Sequence, residues 1–174
     1  MDTALSDTAG KLVGGAAQLI MRVGYNGFSY ADLSSPPALT ATGGSTSFVE
    51  ADNVASTPVA IDSGITLSDG DATTAKQGTV SITGNFSSGQ DVLGFTNTSA
   101  ASYGDISASY NASSGVMTLT SASGTATIAQ WQNAFRAVTY TDTSVTPSTA
   151  TRTVSFELTS GVEAKKLEPP SRLS

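Results

Sequence analysis

Six segments in the middle of this 174-residue chain alternate apolar and polar side chains with a period of two. They are Val80/Ile82, Leu93/Phe95, Ile106/Ala108/Tyr110, Met117/Leu119, Val138/Tyr140 and Val154/Phe156/Leu158, with Ser, Thr, Asp or Glu in most of the intervening places. A strand points successive side chains to opposite faces, so this period fits half-buried strands and no helix. Ala38–Thr42, Pro58–Asp62 and Ile65–Ser68 extend the set to seven to nine short strands, separated by Gly, Asn, Asp and Ser. Asn111-Ala112-Ser113-Ser114-Gly115 joins two of them at hairpin distance. Many short strands at such spacing predict an all-β, antiparallel sandwich.

One stretch keeps a different period. Ile128, Trp131, Phe135 and Val138 recur at three, four and three residues, which is a helical stripe. Thr127 and Gln130 have the spacing of a capping box, in which each side chain satisfies the other's free backbone N–H. The expectation is one short helical insert crossing the end of the sandwich, with Trp131 and Phe135 as packing residues that plug the core.

Composition narrows the chemistry. There is no Cys and no His, which removes thiolate and imidazole metal sites, Ser-His-Asp and Cys-His nucleophiles, and imidazole acid–base catalysis. Only carboxylate chemistry survives that filter. A glycosidase pair remains conceivable in principle, but nothing in the sequence suggests an aromatic sugar platform around one, and the chain is read as no enzyme. Residues 37–160 hold nine acids (Glu50, Asp52, Asp62, Asp69, Asp71, Asp91, Asp105, Asp142, Glu157) and three bases (Lys76, Arg136, Arg152), a net −6. The remaining five acids and five bases cancel. Such a module repels phosphate backbones, so nucleic acid is a poor partner and divalent cations a better one. No run of 18 apolar residues occurs, so membrane insertion of a helix is not expected.

Texture divides the chain into three. Residues 1–36 are expected to be a flexible or non-native flank: Lys11–Val23 could form a short apolar helix, weakened by Gly14-Gly15, and Leu33-Ser34-Ser35-Pro36-Pro37 reads as a linker. Residues 37–161 are the sandwich. Residues 162–174, with Pro169-Pro170, read as a disordered tail. The start lacks the basic n-region of a signal peptide, so an export signal is expected elsewhere or in a longer parent chain.

Asp69-Gly70-Asp71 is the sharpest local feature. Two carboxylates one residue apart, with a glycine permitting a tight turn, can converge on a hard cation, although the same triplet is also a good turn sequence. Asp91 follows Gly89 at a strand start and is read as a turn stabiliser or a further ligand. The sequons at Asn85, Asn97 and Asn111 indicate surface exposure at most.

Residues 38–160 resemble the tandem cadherin-like, Ig-like repeats of bacterial adhesins exported by type I secretion. The stretches that carry the resemblance are Ala38–Thr42, Phe48-Val49-Glu50, Leu67–Asp71, Val80–Gly84, Gly89–Leu93, Thr127–Tyr140 and Thr151–Phe156. The resemblance implies an extracellular, cell-surface module that is often calcium-stabilised and serves as a spacer or adhesive segment. Its partners would be neighbouring repeats of the same chain, with cell-surface glycans or proteins beyond them. With the resemblance, Glu50, Asp69 and Asp71 become the expected calcium ligands, converging at one end of the sandwich. Two departures bear on this: Ser34-Ser35-Pro36-Pro37 replaces the usual Asn-Asp-Ala-Pro linker, and Thr159-Ser160-Gly161 the usual Asn-Asp-Gly turn. The alternative from another class is a carbohydrate-binding β-sandwich of a secreted hydrolase, which should present two or three coplanar exposed aromatics.

Overall fold

The computed structural model describes residues 36–51 and 55–160. The expected flank before residue 36 and tail after 161 lie outside the described residues. Nine strands and two short helices follow one another there as β1 (Ala38–Thr40), β2 (Val59–Ala60), β3 (Thr66–Ser68), β4 (Ala75–Gly84), β5 (Asp91–Gly94), α1 (Ala100–Tyr103), β6 (Ile106–Asn111), β7 (Val116–Ser121), α2 (Ile128–Arg136), β8 (Thr139–Asp142) and β9 (Thr153–Ser160). All strand pairing is antiparallel. The architecture is therefore all-β and sandwich-like, as the alternating segments predict.

Four strands form one sheet in the order β6-β7-β4-β9, three form a second in the order β2-β8-β5, and β1 and β3 make a separate ribbon. The period-two signal is explained by one buried face. In β4 the inward positions are Ala75, Gly78, Val80 and Ile82; Val80 lies opposite Met117 of β7 and Phe156 of β9. Leu93, Ile106, Leu119, Leu158 and Val138 complete a core in which each side chain is at least nine-tenths buried. Burying each aliphatic side chain of this size contributes about 1.5–3 kcal/mol. Asn111–Gly115 closes the β6–β7 hairpin, and Gly115 supplies the left-handed φ of 71° that the turn requires.

The helical stripe forms α2 as expected. Thr127 Oγ1 accepts from the Gln130 N–H at 3.2 Å while Gln130 Oε1 accepts from the Thr127 N–H at 2.9 Å, a complete capping box. Trp131 and Phe135 are fully buried. The Trp131 indole N–H donates to the Ala75 carbonyl at 3.0 Å, which answers the polar end of a ring otherwise sunk in the core. Gly78 of β4 lies directly beneath: a Cβ there would stand 2.8 Å from Phe135 Cζ and 3.0 Å from Trp131 Cζ3. On its other side α2 is tied to β3, Gln132 Oε1 accepting from the Leu67 N–H and Arg136 Nε donating to the Ile65 carbonyl.

These pairings fix two poles. Ala38 pairs with Ser68 and Ser160 with Ala75, so β1 begins and β9 ends at the pole that carries the Asp69–Asp71 turn. Gly84 pairs with Thr153 at the other end of β4. Ten strand residues separate the poles, a span of roughly 30 Å.

Candidate functional site

The expected calcium ligands divide between different parts of the fold. Asp69 and Asp71 share one turn between β3 and β4. Asp69 Oδ1 accepts from the backbone N–H groups of Asp71 and Ala72 at 3.1 and 2.9 Å, so this carboxylate builds its own turn. Its Oδ2 is shielded from solvent and accepts no hydrogen bond from the described residues. Glu50 does not join them: among the described residues no three carboxylates approach closely enough to hold a metal. The convergence expected of Glu50, Asp69 and Asp71 is thus replaced by a two-carboxylate turn. The physical reason lies in the coil before β2, where Phe48 seats edge-on against Tyr140 of β8, with ring centroids 5.3 Å apart. That ring contact holds the stretch just before Glu50 against β8.

The largest concentration of buried charge sits at the opposite pole. Asp91 opens β5 and Asp142 closes β8, and the two are direct partners across the ladder, 0% and 2% exposed. Two like charges facing each other in a core are untenable alone. Arg152, just before β9, resolves this. Its Nε and Nη2 reach Asp91 Oδ1 at 3.2 and 3.0 Å, and Nη2 reaches Asp142 Oδ2 at 3.2 Å. Nη1 donates to the carbonyls of Ser148 and Ala150 at 2.6 and 2.9 Å, tying the β8–β9 loop to the same fork. The remaining lone pairs are also answered. The Tyr140 hydroxyl donates to Asp91 Oδ1 at 2.6 Å, Ser87 N–H to Asp91 Oδ2 at 2.7 Å, and Ser144 N–H to Asp142 Oδ1 at 2.8 Å. Tyr110 on β6 donates to the Asp91 carbonyl at 2.7 Å, which links this cluster to the larger sheet.

Burial alone would push the Asp91 carboxyl up, but the bonds from Arg152, Tyr140 and Ser87 outweigh it and hold the group below its ordinary value. The same contacts raise Arg152, and burial together with Asp91 raises Tyr140 well above an ordinary phenol. Asp91 is therefore held as a structural ion, its turn contact with the Ser87 N–H being one of several bonds. A pair of carboxylates so enclosed offers no general acid or base to a substrate.

A cleft of about 660 Å³ lies beside this cluster, between the β2 and β9 sides of the two sheets. Tyr140, Val59 and Ile61 form one wall, Val154 and Phe156 of β9 the other; the coil 41–48 and the loop 147–152 bound its mouth. Two further acids, the half-buried Asp62 and the exposed Asp105, are bound up locally. Asp62 accepts from the N–H and Oγ1 of Thr42 and the N–H of Gly64. Asp105 accepts from the hydroxyls of Ser121 and Ser123 and the Ser123 N–H, which lowers its carboxyl to about 2. The sequon asparagines serve the fold: Asn85 donates to the Thr151 carbonyl, Asn97 to those of Gly104 and Ile106, and Asn111 Oδ1 caps its own turn. No family model, characterised protein or solved structure matches the chain.

Proposed function

We propose that this chain is an Ig-like, cadherin-like β-sandwich module of a bacterial surface adhesin, an extracellular structural or adhesive segment without enzymatic activity, stabilised by calcium at the Asp69–Asp71 turn. One observation carries the reading: the turn holding both carboxylates lies at the pole where β1 begins and β9 ends. A segment continuing from either strand starts beside it, so a cation there would stiffen the junction with a neighbouring repeat. The shielded, unpartnered Oδ2 of Asp69 fits such a cation, because a hard ion would supply the positive partner this oxygen lacks. Asp71 would contribute from the same turn, and backbone carbonyls or water would complete the shell.

With two carboxylates in the turn and no third joining them among the described residues, binding belongs at the weak end of the roughly 10⁻⁴–10⁻³ M range of extracellular calcium modules. The carbohydrate-binding alternative gains no support. The large hydrophobics exposed among the described residues are Val49 and Val145, neither of them an aromatic platform for a sugar.

Thermal melts in calcium and in chelator test the proposal. At about 100 times the dissociation constant, calcium should add about 2.7 kcal/mol of stability. The gain should vanish in Asp69→Asn/Asp71→Asn. Coincident wild-type melts in the two buffers would remove calcium from the reading.

A further inference from the structure

We infer that the cleft between β2 and β9 accepts an extended peptide: a strand with basic ends and alternating apolar side chains that adds to the outer edge of β9. This inference is independent of the calcium reading and concerns the opposite side of the fold from the turn that carries it.

The backbone comes first. β9 is an edge strand whose ladder partner among the described residues is β4; β1 lies near it but forms no ladder with it. The β4–β9 register shifts only near its ends. From Gly78↔Leu158 to Ile82↔Val154 it runs regularly, leaving an unbulged stretch of edge that no described strand pairs. Natural edges are usually blunted by Pro, Lys or a central bulge. Thr153–Ser160 contains neither Pro nor Lys, and its one charge is Glu157. Such an edge is a template for another strand, and main-chain bonds supply the affinity in that mode of recognition.

The side chains come next. Val154 and Phe156 are half-buried and face the cleft. A strand added to β9 lies about 4.8 Å away and directs alternate side chains to the same face. Those side chains enter the cleft against Phe48, Tyr140 and Phe156. A volume of about 660 Å³ holds several of them, and lies within the usual range of ligand sites. The coil 41–48 and the loop 147–152 at the mouth carry mainly small and hydroxyl side chains, so the apolar contacts come from Phe48, Val59, Ile61, Tyr140, Val154 and Phe156.

Charge selects the peptide's ends. Asp62 and Asp142 line the cleft; Asp142 is buried and already paired with Arg152, so Asp62 is the lining acid left to face a ligand. Arg152, the one base among the lining residues, is committed to Asp91, Asp142 and two carbonyls. No lining base is left to receive an acidic ligand, whereas a lysine flanking the strand meets Asp62 and the acid excess of the module. The net −6 of residues 37–160 also sets a second copy of the chain against itself, which favours a separate peptide over self-pairing.

The test uses the full chain and three nine-residue peptides: Lys-(Thr-Val)₃-Thr-Lys, the same peptide with Glu at both ends, and the Lys-ended peptide N-methylated at alternate amides. Amide chemical shifts locate binding, and fluorescence anisotropy measures it. The Lys-ended peptide should perturb Val154–Leu158 and Phe48. The Glu-ended peptide should bind roughly tenfold more weakly or worse at low salt. N-methylation should abolish binding, because it removes the strand's donors. Equal binding of the N-methylated peptide, shifts confined to β6, no binding at millimolar peptide, or displacement by N-acetylglucosamine oligomers would each overturn the inference.

Discussion

Replacing Arg152 by Met tests the polar core directly. Met keeps much of the apolar stem but removes the fork that answers Asp91 and Asp142, which are 0% and 2% exposed. Breaking a buried ion pair by deleting one partner typically costs about 3–5 kcal/mol, because the surviving charge stays desolvated. Two carboxylates are stranded here, and the carbonyls of Ser148 and Ala150 lose their donor too, so the upper half of that range is expected. For a domain of this size the loss corresponds to a fall in melting temperature of roughly 10–20 °C.

The pH dependence gives the prediction its specificity. In the wild type Asp91 is held below its ordinary value, so its contribution is complete above about pH 4 and lost as pH falls through the folded value. Without Arg152, burial prevails and pushes the carboxyl up. The variant's stability should then decline as pH rises from about 4 to 7, while the wild type's does not. The gap between them widens with pH. Adding Asp91→Asn should recover part of the loss at pH 7, since a neutral amide needs no counter-ion. Urea titrations at pH 4 and 7 measure all of this. A loss below about 1 kcal/mol, or the same loss at both pH values, would refute the assignment of Arg152 as the ion that makes this core tenable.

Three further outcomes are expected. Trp131→Ala should cost about 3–5 kcal/mol in chemical denaturation, since it empties a fully buried site and strands the Ala75 carbonyl; the native tryptophan emission should be blue-shifted. Gly78→Ala should destabilise by about 1–3 kcal/mol despite its small size, because the new Cβ meets Phe135 Cζ at 2.8 Å and the Glu157 carbonyl at 3.1 Å. Asp105→Asn should flatten the acid limb of the stability curve. Its carboxyl, held at about 2 by Ser121 and Ser123, stabilises the fold above about pH 4 and ceases to do so as pH falls toward 2, which stability measured from pH 2 to 5 will show.

The strands were legible because one buried face imposes a period of two, and α2 because its cap and stripe are local features. Helix α1 left no signal: four residues are too few to display a period. Glu50 was misplaced for a related reason. The coil 41–51 has no regular pattern, and the contact of Phe48 with Tyr140, almost a hundred residues away in sequence, steers it. The polar core was written in the sequence but in a form easily taken for turn chemistry. Asp91 stands in phase with Leu93, and Asp142 in phase with Val138 and Tyr140, which are inward positions of their strands. An acid in the inward phase of a strand requires a buried base, and Arg152, immediately before the inward-alternating Val154–Leu158, is one of only three bases between residues 37 and 160. Phase therefore separates Asp91 and Asp142 from the turn acids Asp69 and Asp71. It also explains why the cleft keeps its shape. The fork that neutralises the core is the same group that holds the carbonyls of Ser148 and Ala150, so the loop bounding the cleft is anchored by the charge balance beneath it.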